Sequence, residues 1–162
     1  MISVIYVDDE PFLLEICKLF LERSGDIQVT TSVSAKNALE ILSSRSFDAI
    51  ISDYQMPGMD GIEFLKVIRK DDKIIPFIIF TGRGREEIVI EALKEGADFY
   101  LQKGGDPQSQ FAELRNNVEQ IVRRRKAESS LVYRDTLYRT LFESANDAIV
   151  LMEHDRVLEC NH

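Results

Sequence analysis

Short apolar runs alternate along this chain with stretches of helical periodicity, and four of those runs end in a chemically reactive residue. Asp8 and Asp9 follow residues 2–7, Asp53 follows 49–52, Thr81 follows 77–80 and Lys103 follows 99–102. Strand-length apolar runs separated by helices imply a parallel sheet covered on both faces, and the ligands of such sheets collect beyond the carboxyl ends of the strands. The five residues are therefore expected to converge on one site. Three carboxylates in one place repel one another unless a hard cation joins them, and a lysine and a hydroxyl beside them suit an anionic group such as phosphoryl.

Residues 2–7 read as a central strand buried on both faces, and the next segment as a helix: Pro11 suits its first turn, and Phe12, Leu13, Ile16, Cys17 and Phe20 recur at helical spacing up to Gly25. Residues 27–31 predict a second strand, Ser34 the cap of a second helix carrying Ala38, Leu39 and Leu42, and residues 47–52 a third strand. Pro57, Gly58 and Gly61 break the pattern after Asp53, so that aspartate opens a shaped loop, and Asp60 caps the helix bearing Phe64, Leu65 and Ile68. Residues 75–80 predict the fourth strand, the turn at Thr81-Gly82-Arg83-Gly84 a helix closed by Gly96, and residues 97–102 the fifth strand. From Pro107 a helical pattern runs on without a breaker past Lys126.

A length of 162 residues suits one domain plus an extension. A net charge of −8 argues against direct binding of nucleic acid, and the basic run 123–126 is expected to be a solvated helix face, since no DNA-binding unit follows it. Cys17 and Cys160 are the two cysteines, too few for a disulfide framework, and no apolar run approaches the ~20 residues of a membrane span. With no basic segment before the first strand, the expected setting is the cytoplasm.

The runs VDDEP (7–11), SDYQMPGMDG (52–61), FTG (80–82) and YLQK (100–103) resemble, in order and spacing, the receiver domain of two-component response regulators, over roughly the first 125 residues. The resemblance implies a doubly wound, flavodoxin-like sheet of five parallel strands in the order 2-1-3-4-5, with helices on both faces and a long C-terminal helix. It implies that Asp53 accepts a phosphoryl group from a histidine kinase or phosphotransfer protein, with Lys103 and Thr81 assisting. Mg²⁺ is then held by Asp9 directly, by Asp8 through water, and by Asp53 and the backbone carbonyl of Gln55. Thr81 and Tyr100 are the implied switch pair, coupling the site to a face of the fourth helix, fifth strand and fifth helix where a homodimer can form. Gln55 and Arg83 are the implied tuners of phosphate lifetime. Such a domain catalyses only its own phosphoryl transfer and dephosphorylation.

One departure concerns the residue after the lysine, where the family has a cis proline and this chain has Gly104 and then Gly105. A non-proline cis bond costs about 2.5–4 kcal/mol, so a trans bond and a more mobile loop are expected. Residues 138–161 resemble the opening of a PAS sensor domain, a short helix followed by a strand from Ala148. The expected division is a receiver at 1–125, a helical linker at 126–137 and a PAS fragment at 138–162, and a gene continuing into a kinase core would encode a sensory histidine kinase. Two other readings compete. A haloacid-dehalogenase-type hydrolase would carry Asp-x-Asp after the first strand, where this chain has Asp8-Asp9-Glu10, and a scaffold receiver would lack some of the reactive residues.

Overall fold

The computed structural model describes residues 1–72, 74–82, 86–144, 149–153 and 156–161. In chain order the elements are β1 (Ile2–Val7), α1 (Pro11–Glu22), β2 (Ile27–Ser32), α2 (Ala35–Ser44), β3 (Ala49–Ser52), α3 (Gly61–Asp71), β4 (Phe77–Thr81), α4 (Glu86–Lys94), β5 (Phe99–Gln102), α5 (Pro107–Ser144), β6 (Val150–Glu153) and β7 (Arg156–Cys160). The first five strands form one parallel sheet in the order β2-β1-β3-β4-β5. That is the expected doubly wound order.

Alternation along the strands splits the core in two. Val4, Tyr6, Ile78 and Phe80 point to one face, where they meet Leu14, Cys17 and Leu21 of α1 and Leu114, Val118 and Val122 of α5. Ile5, Val7, Phe77 and Ile79 point to the other, against Ala38 of α2, Phe64 and Leu65 of α3 and Ala92 of α4. Strands buried on both faces are continuous apolar runs for this reason.

The expected helix starts hold. Pro11 opens α1, Ser34 accepts the Asn37 amide at 3.2 Å, and Asp60 forms a reciprocal capping box with Glu63. The second strand runs one residue past its expected end, to Ser32, and three further strands need correction. The third strand begins at Ala49 and not at residue 47: the Asp48 amide still donates to the Ser3 carbonyl at 2.8 Å, but the Ser3 amide and hydroxyl turn to the Asp48 carboxylate at 2.8 and 3.0 Å. The fourth runs from Phe77 to Thr81 where 75–80 was expected; Pro76 has no N–H, and the Ile75 amide bonds Asp72 at 2.9 Å. The fifth begins at Phe99, because Asp98 is occupied in accepting the Phe77 amide and the Arg69 guanidinium.

The chain divides into two compact units, Met1–Arg123 and Arg124–His162. The first holds the sheet and both apolar clusters. In the second, Tyr138 and Phe142 stack at 5.4 Å along the helix, and β6 and β7 pair as an antiparallel hairpin closed by mutual bonds between Ile149 and Asn161. Helix α5 passes without interruption through the expected linker at 126–137. The strand expected from Ala148 is observed from Val150, and Ala148 itself lies outside the described residues. Among the described residues no helix is long and apolar enough to cross a membrane.

Candidate functional site

Asp8, Asp53 and Lys103 each stand one step beyond a strand, where the ladder extends to hold them, and Thr81 is the last residue of β4. The Asp8 amide donates to the Ser32 carbonyl at 3.1 Å, the Asp53 amide to Val7 at 2.8 Å and the Lys103 amide to Thr81 at 2.7 Å. Because these bonds cross between adjacent strands, β1, β3, β4 and β5 deliver their last residues to one edge with fixed register.

At that edge the Lys103 ammonium lies 2.6 Å from Asp8 Oδ2 and 2.8 Å from Asp53 Oδ1. Both carboxylates are buried, Asp8 to 1 % exposure and Asp53 to 6 %. Burial opposes the lysine's charge, but its hydrogen bonds to Asp53 and Asp8 and their negative charges outweigh that, so its pKa is raised. The ammonium also lies 5.5 Å from the centre of the Phe80 ring, a cation–π distance. Each acid has a second, backbone anchor: Asp8 Oδ1 accepts the Glu10 amide at 3.0 Å and Asp53 Oδ2 the Gln55 amide at 2.7 Å.

Asp9 is exposed and does not share the lysine; it lines an open cleft of about 500 Å³ with Tyr54, Gln55, Met56, Pro57 and Asp60. Thr81 is buried at the end of β4. Tyr100 is half-buried on β5 and packs on the α2–α4 side, where burial and then the Asp53 charge raise the pKa of its hydroxyl. Arg83, expected to tune phosphate lifetime, lies outside the described residues. Every peptide bond among the described residues is trans, Lys103–Gly104 included, and φ is +155° at Gly104 and +83° at Gly105.

Among the described residues no group of three or more His, Cys, Asp or Glu side chains is gathered closely enough to enclose a metal. Asp8, Asp9 and Asp53 nonetheless offer only hard oxygen donors beside an open cleft, which suits Mg²⁺, an ion that keeps several waters and takes few carboxylates.

Two supporting residues were not identified as such from the sequence. Tyr6, buried in the α1–α5 core, donates its hydroxyl to Asp8 Oδ2 at 2.5 Å. Its signal was its position two residues before the first acid, which places both side chains on one face of the strand. Gly61, read only as a breaker, is required by close approach: a Cβ there would lie 2.3 Å from the Asp53 carbonyl oxygen.

Residues 4–115 match the family model described as the response regulator receiver domain. The response regulator Rre1 of Synechocystis is 37 % identical over 117 residues, which is 71 % of this chain and 51 % of that protein. The chain spans about half the length of the curated relatives it matches. Among solved structures, a receiver domain protein of Clostridium thermocellum matches with a TM-score of 0.71 at 31 % identity, over 78 % of this chain and 98 % of that one. The response regulator TrrA of Thermotoga maritima, solved in complex with Mg²⁺-BeF, matches with a TM-score of 0.66 at 29 % identity, over 75 % and 99 %. The chain belongs to the response regulator receiver domain family, and its role is that of a phosphoacceptor in two-component signalling.

Proposed function

We propose that Asp53 is the phosphoacceptor. One observation carries this: the Asp53 carboxylate is buried at the sheet edge, held by the Gln55 amide on one oxygen and by a lysine on the other. A carboxylate oxygen of Asp53 attacks the phosphorus of a phosphohistidine, presented by a histidine kinase or a phosphotransfer protein. An oxygen–phosphorus bond forms, the nitrogen–phosphorus bond breaks, and the imidazole leaves with its electron pair. Lys103 turns its ammonium to the transferred group's oxygens, and the Thr81 hydroxyl supplies a second donor. Mg²⁺, held by Asp8, Asp9, Asp53 and the Gln55 carbonyl, supplies positive charge to the transferring group when bound. The protein catalyses only this transfer and the later hydrolysis, whose rate Gln55 and Arg83 tune.

Thr81 and Tyr100 form the switch. A new dianion draws the Thr81 hydroxyl, and the half-buried Tyr100 ring moves behind it, changing the α4–β5–α5 face through which a homodimer forms. Residues 1–125 are the receiver, 126–137 the linker, and 138–162 the start of a PAS sensor domain, supported by a helix that ends ahead of an antiparallel hairpin. In a longer protein ending in a kinase core the same module would belong to a sensory histidine kinase working in the cytoplasm.

The test is incubation with acetyl phosphate and Mg²⁺ followed by intact mass. The wild type gains one phosphoryl group and Asp53→Asn gains none. Equal stable labelling of that variant would overturn the assignment, turnover of phosphate esters would favour a hydrolase, and no labelling of the wild type would favour a scaffold.

A further inference from the structure

Among the described residues three donors bond the Asp8 carboxylate, and they differ in freedom. The Glu10 amide belongs to the backbone at the start of α1. The Tyr6 hydroxyl is fixed by its ring, which has 0 % exposure and lies 6.4 Å from the Phe80 ring in the core. The Lys103 ammonium shares Oδ2 with Tyr6, but it sits on a rotatable four-carbon stem, and the backbone after it continues into two glycines with positive φ. With Asp8 only 1 % exposed, bulk water has little access to replace a donor that leaves Oδ2, and an unsatisfied buried carboxylate oxygen is costly.

We propose that Tyr6 is a positioning residue for phosphoryl transfer: its hydroxyl keeps Asp8 oriented and hydrogen-bonded when Lys103 turns from Asp8 to the phosphoryl oxygens. This rests on the phosphoacceptor reading of Asp53. The phenol makes the lysine releasable, because Oδ2 retains a donor after the ammonium departs. Phenylalanine at position 6 fills the same space and keeps the core, yet among the described residues leaves Lys103 as the only side-chain donor to Oδ2. Asp8 then grips the lysine more tightly, and the penalty falls on the transfer and not on the fold.

The experiment measures the rate of Asp53 phosphorylation by acetyl phosphate at saturating Mg²⁺ in the wild type, Tyr6→Phe and Ile5→Val. Ile5 is a β1 core residue on the opposite face, and its variant controls for packing. The expected result is a roughly 10-fold slower rate in Tyr6→Phe, the size of one lost hydrogen bond to a charged group, with Ile5→Val within about 2-fold of wild type. In wild-type protein, NMR should show the Tyr6 hydroxyl proton still protected from exchange after beryllofluoride is added, while the Lys103 ammonium signal shifts. A wild-type rate in Tyr6→Phe, equal slowing in both variants, or loss of the Tyr6 hydroxyl signal with beryllofluoride would each overturn the proposal. Failure of the wild type to label at Asp53 is a separate result, seen before any Tyr6 variant is compared, and would remove the phosphoacceptor reading and this inference together.

Discussion

Both edges of the five-stranded sheet bury an ion pair, and the two cations are held differently. At the amino edge the Arg69 guanidinium pairs with Asp98 at 3.1 Å and also donates to the carbonyls of Gly96, Ile75 and Asp72, while Asp98 accepts the Phe77 amide. At the carboxyl edge the Lys103 ammonium rests on two carboxylates, with two glycines of positive φ following it in the chain. A planar fork fitted to backbone carbonyls has one arrangement, whereas a point charge on a rotatable stem can change partners without breaking a strand or a helix end. The amino edge thus fastens the α3, β4 and β5 ends together, and the carboxyl edge holds a charge that can be transferred to an arriving anion.

If that contrast is right, Arg69→Ala should lower stability by about 3–5 kcal/mol, because Asp98 is left buried without its partner. Urea unfolding measures this, and the labelling rate of the protein that remains folded should stay near wild type. A loss under about 1 kcal/mol, within the range of ordinary exposed pairs, would erase the distinction between the edges. Lys103→Ala should slow labelling by about 100-fold or more, the scale of losing one donor to a developing oxyanion charge. In that variant Mg²⁺ should raise the unfolding midpoint more than in wild type, since two carboxylates have lost their shared cation. Mg²⁺ stabilising both proteins equally would show that Lys103 does not screen the acids.

Gly61→Ala disturbs the same site from the loop side. The added Cβ meets the Asp53 carbonyl, so a cost of about 1–3 kcal/mol is expected together with slower labelling. Lost stability with an unchanged rate would mean that the Asp53 loop tolerates displacement. The smallest effect is on pH dependence. The folded pKa of Lys103 is raised above its ordinary 10.5, so its pairing contributes in full below that pH and is lost as pH rises through the higher value. Arg69 stays charged throughout. Urea unfolding from about pH 9 to about 11.5 should therefore show a decline in wild type that is smaller in Lys103→Met and retained in Arg69→Lys.

Helix starts were the most legible local features, because Ser34 and Asp60 are capping residues read against their immediate neighbours, and the structure shows both caps. Strand starts were the least legible. Phe47, Ile75 and Ala97 are apolar and extend the pattern, but Asp48, Pro76 and Asp98 divert or lack the ladder bonds there, and Asp48 and Asp98 act on chain segments 45 and 21 residues away. Tyr6 was overlooked as a site residue for a related reason. In sequence it is one more apolar member of a buried strand, and only the folded position of Asp8 gives its hydroxyl a partner.

The sequence by itself determined the alternation of strands and helices, the two-sided burial and the identity of the reactive residues at the strand ends, because these follow from local periodicity and the period-two geometry of a strand. Strand order entered only through resemblance to a family, since periodicity carries no record of which strands are neighbours. Tertiary structure alone decided which acids share the lysine, leaving Asp9 in the open cleft while Asp8 and Asp53 are drawn to Lys103. It also decided that a buried phenol completes Asp8 and that Gly61 must lack a side chain. The physical reason is the same in each case: a hydrogen bond or a steric contact is fixed by distances of a few tenths of an ångström, and these exist only once the sheet has set its register and the loops beyond it their turns.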